Sequence, residues 1–596
     1  MIGTRKMWVV AIPFLKIATF SFLMYSLNIG LTGIIFSLTF IILTAKKTQG
    51  IDLSLIYLIS VFLTMNLLRL LDIANFAPLI LVFFGLITVY GIWKKSEEAS
   101  NFSKNLMSSN FINFLLPILL VVLIATRDAS SRVFYILTKF GYDQVGHFAM
   151  SKALSVCSGF LTHCDPDSKM LPFNYMYYPQ QWHILFSIFI NNEDLNTSMS
   201  SFIGAIIMSI AISLYLVFIV FHVCVNEIKD VTHKKGVNIE KVLNSMFALV
   251  VITIFVLSFL GYPNFVLAVS LFLSAIILNK EKNVFQFVLG VALLMIVISS
   301  YTLFLVPATL YYIYILSRAI QSNLKLIYFG SIIIFIAFVY EVITTTTSHS
   351  HLDFISIGAG KIDPLVLVVY SVSIFSAALT YKALKVPLFL RSSTLTNLSL
   401  INMLVLLSLL GLHGILIIGG NGTGYYLQKM AYFALIVGLL NIGITLQFQK
   451  LERNFLVSKV LKINFNLTTL VLIFSVFLWS IPQLYFAYSR LPIRSPLSNV
   501  ITILNGEDAD VKTMNLDILK AAELSIMRGL PVAILSENTG PDTQWVNSLS
   551  GHWSGYLNNY LEDKIDNQEQ FRNLDFQLSN DEIILFYDPL KGVLNE

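Results

Sequence analysis

The sequence predicts a polytopic α-helical membrane protein of about fifteen spans, with a small α/β domain at its C-terminal end. Three observations lead to this fold class. Hydrophobic residues make up 56% of the 596 residues, and charged residues make up only 12%, about half their share in soluble domains. Apolar runs of roughly 20 residues, the length that crosses a bilayer, recur along the first 488 residues. Residues 501–596 carry a net charge of −10, whereas the first 500 residues carry +15. So few charges could not cover a soluble protein of this size, which excludes an ordinary cytosolic enzyme, a nucleic-acid-binding protein and a disordered chain.

The spans follow one another with short polar breaks. We expect them near residues 8–26, 28–45, 53–71, 76–93, 111–126, 199–224, 244–261, 263–279, 284–299, 301–317, 325–343, 364–382, 397–418, 428–448 and 465–488. The first run follows basic residues, as a signal peptide does, but it shows no small-x-small cleavage site and a second span follows directly. We therefore expect a retained first helix.

The distribution of lysine and arginine predicts the orientation of these spans. With the N-terminus in the cytoplasm, the inner segments hold 22 basic residues, whereas the short outer loops hold only Arg69 and Lys361. This orientation places a large loop, residues 127–198, and the domain formed by residues 489–596 on the outer side. Many Lys, Asn and Ile residues indicate an AT-rich bacterial genome, so the expected location is the bacterial cytoplasmic membrane.

The C-terminal domain has the pattern of a small α/β fold. Short β-type runs occur at 499–504, 530–535 and 581–587, and a helical pattern between the first two ends at Gly529. One interpretation is a structural cap over the membrane domain. The other is a direct role with substrate, because the segment around Trp553 is rich in side chains that stack on sugars and bond their hydroxyl groups. Residues 1–488 form the membrane domain in either case.

The large outer loop contains the first candidate site residues. Asp143 and His147 are spaced i and i+4, so a helix places them on one face. An apolar side predicts that this helix lies along the membrane surface, where Asp143 could accept a proton from an acceptor hydroxyl. The alternative is an amphipathic helix with a solvated polar face. Further along the loop, the string Tyr178-Pro-x-x-Trp182-His183 marks the return to the membrane. Tyrosine and tryptophan alone suit an interfacial belt, but His183 needs a polar partner near lipid.

The second candidate region is the last short outer loop. Tyr425 and Tyr426 begin a helix in which Lys429 lies about one turn inside the predicted span. A lysine at that depth is costly unless it pairs or reaches the interface, and intramembrane charges indicate functional sites. A cation at the rim of an outer cavity suits a lipid-linked phosphate. The alternative is that Lys429 simply extends to the interface.

Cysteines and metal-ligand patterns are sparse. Cys157 and Cys164 share the outer loop and could form a disulfide bond in an oxidising compartment, although their spacing leaves the bond open. His349, His351 and Asp353 alternate in a Thr-rich loop, where they could bind a metal ion or form a polar loop top. The sequence has no P-loop, no GxGxxG and no HExxH motif, and it therefore assigns no nucleotide or cytosolic cofactor site.

These strings together resemble the GT-C-type integral membrane glycosyltransferases. Asp143 and the His147 that follows are similar to the acidic loop motif of that family. The Tyr178–His183 string resembles bacterial members of the arabinofuranosyltransferase-like kind, and the Tyr-Tyr-x-x-Lys string that ends at Lys429 is similar to one near the outer end of a late span. The chain departs from the family where many members have an acidic pair. Either Asp128, Asp165 or Asp167 supplies the second carboxylate or one suffices, so a divalent cation remains the one open candidate cofactor.

The resemblance implies transfer of a hexosyl or pentosyl group from a polyprenyl-phosphate donor to an envelope glycan, lipid or protein acceptor, as in polysaccharide biosynthesis. Lys429, together with His147 or His183, would hold the donor phosphate, and Asp143 would be the general base. The groove for the sugar or prenyl chain would be lined by Tyr178, Trp182, Tyr425, Tyr426 and Trp553. The alternatives are a ligase for lipid-linked oligosaccharides and a transporter of lipid or polysaccharide, that is, a flippase.

Overall fold

The computed structural model describes residues 24–25, 27–44, 47–48, 51–83, 85, 144–164, 171, 178–232, 240–259, 261–278, 284–319, 325–349, 364–390, 392–418, 425–451, 509–534, 539–552, 585–588 and 592–593. The predicted domain boundary at 488/489, the predicted spans 111–126 and 465–488, and most of the predicted span 8–26 lie outside these residues.

Helices dominate the described part of the first 451 residues. Those of six or more residues are α1 (Leu31–Leu43), α2 (Leu53–Leu70), α3 (Gln144–Val156), α4 (Gln181–Phe186), α5 (Leu195–Thr232), α6 (Glu240–Phe259), α7 (Pro263–Leu278), α8 (Val284–Ser300), α9 (Leu305–Ala319), α10 (Lys325–His349), α11 (Pro364–Leu384), α12 (Ser393–Ile418) and α13 (Tyr425–Leu451). A short antiparallel hairpin, β1 (Lys47–Thr48) and β2 (Ile51–Asp52), joins α1 to α2.

Several of these helices suit a bilayer by length and composition. Among the described residues, five stretches are long and apolar enough to cross a membrane: Leu53–Leu70, Thr197–Ile228, Ile327–Thr344, Ser393–Ile418 and Tyr426–Phe448. Shorter apolar helices occupy other predicted spans, among them Leu31–Leu43, Pro263–Leu278 and Val284–Ser300. The chain is therefore a helical membrane protein in outline, and the count of fifteen spans stays a prediction.

The helices differ in how deeply they lie in the bundle. α5 and α7 pack against each other at its centre, and every residue of α7 is buried. α10 lies at the periphery, where only 11% of its spanning stretch is buried and its apolar side chains face outward. Such a face suits contact with lipid, because lipid tails are as apolar as the side chains themselves.

Local sequence determines where several helices begin and end. α7 and α11 begin at Pro263 and Pro364, a position that proline favours because its missing N–H has no partner there in any helix. Asp194 caps α5, since its carboxylate accepts hydrogen bonds from the backbone N–H and the hydroxyl of Thr197 at 2.8 and 2.7 Å.

A buried polar cluster fixes α13 to its neighbours. Asn441 of α13 donates to the hydroxyl groups of Ser376 and Thr380 on α11, at 2.9 and 2.8 Å, and accepts from Ser399 on α12 at 3.3 Å. Nearer the other end, the ring of Phe433 packs against Phe272 of α7 at 5.7 Å. These contacts hold the helix that carries Lys429.

The C-terminal residues form two helices and a small sheet. α14 (Ala509–Arg528) and α15 (Thr539–Ser550) accompany β3 (Val532–Ile534), β4 (Leu585–Asp588) and β5 (Gly592–Val593). β3 pairs with β4 in parallel and β4 with β5 in antiparallel. The helix predicted to end at Gly529 does so, and this glycine adopts φ +64°, a conformation that favours glycine after a helix. The predicted strands at 530–535 and 581–587 are confirmed as β3 and β4, while the one at 499–504 lies outside the described residues.

The last turns of α2 clamp the large loop to the bundle. Asn66 and Gln181 of α4 exchange two amide hydrogen bonds of 2.7 and 2.6 Å. Arg69, one helical turn further, is 2% exposed. Its guanidinium donates to the backbone carbonyls of Leu154 at 2.8 Å, Gly159 at 2.7 Å and Cys157 at 3.2 Å. Leu154 lies in the last turn of α3, where carbonyls lack helical partners, so Arg69 caps α3.

We expect Arg69→Met to lower the free energy of unfolding by about 2–4 kcal/mol, because three carbonyls lose hydrogen bonds to a charged donor. Arg69→Lys should recover little, since one ammonium cannot reproduce the planar fork. Unfolding in mixed SDS micelles measures the change. The matched control is Arg318→Met, which removes an exposed guanidinium from Tyr314 and should change stability by less than about 0.5 kcal/mol. Equal losses for both variants would contradict the clamp.

Candidate functional site

The site begins with α3, the predicted helix of the outer loop. Its apolar residues Val145, Phe148 and Leu154 are buried as expected. Its polar side is not solvated, because Gln144 and His147 are only 2% and 3% exposed. Gln144 donates to the carbonyl of Ser258 at the end of α6, at 3.1 Å. The helix is therefore enclosed by protein on both sides, and its placement along the membrane surface stays a prediction.

His147 and His183 form a directly bonded pair. His147 Nδ1 lies 2.8 Å from His183 Nε2, and the rings stack with centroids 5.0 Å apart. His147 Nε2 lies 3.1 Å from the carbonyl oxygen of Gly261, which can only accept, so the proton is on Nε2. His147 Nδ1 is then the acceptor and His183 Nε2–H the donor. His183 Nδ1 faces the Pro179 carbonyl without a well-formed hydrogen bond among the described residues.

Burial keeps both imidazoles neutral. Burial, and secondly the charge of Lys429, lower the pKa of His147 to about 3. Burial and the neighbouring His147 likewise hold the pKa of His183 well below its ordinary value. A histidine ordinarily titrates near pH 6.5. Across the physiological range the pair is therefore a fixed polar group and not a cation.

Lys429 lies next to the pair, within an aromatic cage. Its Nζ lies 4.3 Å from the ring centroid of Tyr262 and 4.9 Å from that of Tyr301, and the side chain is 1% exposed. Cation–π contacts of this kind contribute about 2 kcal/mol when desolvated. Lys429 is the fifth residue of α13, one turn from its start, as the sequence predicts. In the described structure the side chain of Lys429 is thus enclosed by protein and does not extend into solvent.

Two aromatic residues of the predicted string complete the cluster. Tyr178 is half-buried, its ring centroid lies 6.2 Å from that of His147, and its hydroxyl accepts from the amide of Asn264 at 3.2 Å. Trp182 is fully buried, and its indole N–H donates to Ser209 at 2.8 Å. Its ring centroid lies 5.7 Å from that of His147 and 5.3 Å from that of His183. Trp182 thus packs against both rings of the histidine pair.

The structure brings together five of the nine predicted site residues: His147, His183, Lys429, Tyr178 and Trp182. Tyr426 is half-buried at the start of α13. Tyr425 is the first residue of that helix, and its side chain is not among those described. Asp143 and Trp553 lie outside the described residues.

Sequence reasoning missed the tyrosines of the cage. Tyr262 follows Gly261, whose φ of +98° makes the sharp turn between α6 and α7, and Tyr301 lies in the turn between α8 and α9. Each turn is a short break, containing polar and aromatic residues, between two closely spaced apolar runs. Such breaks could have drawn attention to the two tyrosines, but interfacial aromatic residues also occur at span boundaries, and nothing in the sequence shows that both tyrosines contact Lys429.

The site is assembled at one end of the bundle from segments far apart in sequence. The end of α2, helices α3 and α4, the turns at Tyr262 and Tyr301, and the start of α13 all meet there. The charge distribution predicts the outer side for all of these segments, and this placement stays a prediction.

The outer loop also contains the predicted cysteine pair. Cys157 is disulfide-bonded, whereas Cys224 is a buried cysteine outside any disulfide bond. The sequence has three cysteines, so the bond agrees with the pairing to Cys164. Within the described part of the chain, no group of three or more His, Cys, Asp or Glu side chains is placed to hold a metal ion. His351 and Asp353 lie outside that part.

We expect the ring nitrogens of His147 to give the signals of a neutral Nε2–H tautomer at pH 5, although an ordinary histidine is mostly protonated there. Nitrogen-15 NMR of histidine-labelled protein in bilayers measures this, and His147→Gln assigns the signal. Lys429→Gln should raise the pKa of His147 but leave it below its ordinary value, because burial is the larger cause.

The same shift makes stability depend on pH. The unfolded chain binds a proton at His147 below about pH 6.5 and the folded chain does not until about pH 3. Stability should therefore fall as the pH drops through this window, and less steeply in His147→Gln. An imidazolium signal at pH 5 in the unmodified protein would contradict the assignment.

Comparison of the sequence with known protein families, with curated proteins and with solved structures finds no match.

Proposed function

We propose that this protein is a membrane glycosyltransferase, which transfers a sugar from a polyprenyl-phosphate donor to an envelope glycan, lipid or protein on the outer face of the cytoplasmic membrane. The observation that carries the proposal is the position of Lys429. Its ammonium lies in a tyrosine cage beside a neutral histidine pair, at the end of the bundle where the predicted outer segments meet.

Lys429 supports the phosphate part of the proposal. A buried ammonium attracts an anion more strongly than one in water, because the local dielectric is low. The two tyrosine rings hold Nζ in place. A phosphate on a lipid reaches this depth, one helical turn below the start of α13, by lateral diffusion within the leaflet.

The neutral histidine pair does not supply a phosphate contact. Its two N–H groups are used by His147 and Gly261, so neither ring has an N–H to offer a phosphate. We therefore propose that Lys429, of these three side chains, binds the donor phosphate and that the neutral pair forms the wall of the site beside it. His147 and His183 were also expected to bind phosphate, and this division of roles replaces that expectation.

The proposed transfer reaction requires no nucleotide. The acceptor hydroxyl oxygen attacks C1 of the sugar, and the bond between C1 and the phosphate oxygen breaks. The hydroxyl proton passes to a carboxylate, which we propose to be Asp143, the residue directly before α3. The polyprenyl phosphate leaves with the bond electrons, and the charge on Lys429 stabilises it. The energy comes from the sugar–phosphate bond, as an outer-face reaction requires.

We expect Lys429→Gln to weaken binding of a polyprenyl phosphate about 10–100-fold, the value of one hydrogen bond to a charged group. Purified protein in nanodiscs and a fluorescent polyprenyl phosphate measure this. Lys385→Gln is the matched control, since Lys385 also lies over a tyrosine ring, 4.3 Å from the centroid of Tyr381, but is exposed. The affinity of the Lys385→Gln variant for the polyprenyl phosphate should not change.

Product analysis separates the alternative functions. Incubation with a polyprenyl-phosphate sugar should release free polyprenyl phosphate, and Asp143→Asn should abolish this release without loss of binding. Transfer of a whole oligosaccharide would identify a ligase instead. Movement of the lipid across the bilayer with no bond broken would identify a transporter. Equal affinities of Lys429→Gln and the unmodified protein would exclude the phosphate site.

A further inference from the structure

A second face of α3 contacts the C-terminal helix α15. Phe148 and Lys152 are spaced i and i+4 and therefore share a face, which is turned roughly 100° from the face of His147. The ring of Phe148 packs on Trp545, with centroids 5.8 Å apart, and Trp545 is 3% exposed. The Lys152 ammonium donates to the carbonyl of Leu549.

The bond to Leu549 is a helix cap. α15 ends at Ser550, so the Leu549 carbonyl is among the last four, which lack partners within the helix. A cation at a helix C-terminus also complements the helix dipole. Lys152 thus ties the end of α15 to the middle of α3, next to the stacked pair of Phe148 and Trp545.

A chain of packed rings continues from this contact to the histidine pair. Phe148 packs on Phe202 of α5 at 5.3 Å, and Phe202 packs on Trp182 at 6.2 Å. Trp182 contacts both His147 and His183. α3 is therefore held between two surfaces: the turn at Gly261 on the side of His147 and α15 on the side of Phe148.

We propose that Trp545 and Lys152 are positioning residues, which press α3 against the turn at Gly261 so that His147 stays bonded to His183 beside Lys429. The catalytic meaning of this contact rests on the proposed function, but the contact itself does not. This contact gives the C-terminal segment a role beyond that of a structural cap, because loss of the contact should expose the site while the helix bundle stays folded.

Carbethoxylation of histidine by diethyl pyrocarbonate, followed by mass spectrometry, tests this in full-length protein in nanodiscs. Trp545→Ala should raise the labelling rate of His147 about tenfold or more, and Trp545→Phe should restore most of the protection. Lys152→Met, which keeps the side-chain stem, should raise the rate about threefold and serves as the test if Trp545→Ala fails to fold. Met527→Ala on α14, at a side chain 75% exposed, is the control and should have no effect.

Two internal reporters separate local opening from unfolding. His413 on α12 should keep its labelling rate, and the fully buried thiol of Cys224 should stay unreactive towards N-ethylmaleimide. The proposal is overturned if His147 changes by less than twofold in both Trp545→Ala and Lys152→Met. It is also overturned if Cys224 becomes reactive in step with His147, because α15 would then only support global stability.

Kinetics add a readout that depends on the proposed function. Trp545→Ala should lower kcat for sugar transfer and leave KM for the donor nearly unchanged, since Lys429 is not displaced. If the unmodified protein transfers no sugar, the proposed function fails while the labelling result still decides the role of α15.

Discussion

The site depends on a buried guanidinium whose partners in the described structure are backbone carbonyls and one hydroxyl group. Arg69 bonds the end of α3 and the loop that follows it, and its second nitrogen also reaches the hydroxyl of Ser187 just after α4, at 3.3 Å. Both histidine-bearing helices are thus attached to one side chain of α2. A buried charge of this kind tolerates no displacement of its acceptors, because each lost bond leaves a desolvated group. The geometry of the histidine pair follows from this requirement.

Two basic side chains cap the C-terminal ends of helices in this structure. Arg69 caps the last turn of α3, and Lys152, a residue of α3, caps the last turn of α15. Each cap uses a cation at the carbonyl end, where the helix dipole favours it. The bundle, the outer loop and the C-terminal helix are therefore joined by polar contacts of fixed direction, and packed aromatic rings lie between them.

The sequence predicted many of the described helices and named five residues that the structure brings together, but it did not predict the contacts among them. Hydrophobic runs determine helices directly, and the depth of Lys429 follows from its distance to the end of a run. His147 and His183 were recognised by residue type, whereas their mutual bond depends on α3 being buried, which its amphipathic pattern did not indicate. Tyr262 and Tyr301 resembled ordinary interfacial residues. Arg69 was counted only as an outer basic residue, because nothing in its local sequence shows that carbonyls 85–90 residues away are its partners.

The clamp of Arg69 also has a consequence for how the chain is made. Its nearest acceptor in sequence, Leu154, is synthesised 85 residues later, roughly 4–17 s at ordinary rates of translation. During that interval the guanidinium has none of its final carbonyl partners and must be solvated by water or lipid headgroups at the membrane surface. With the predicted orientation, we expect this charge to hold the end of α2 at the membrane interface until α3 has been synthesised.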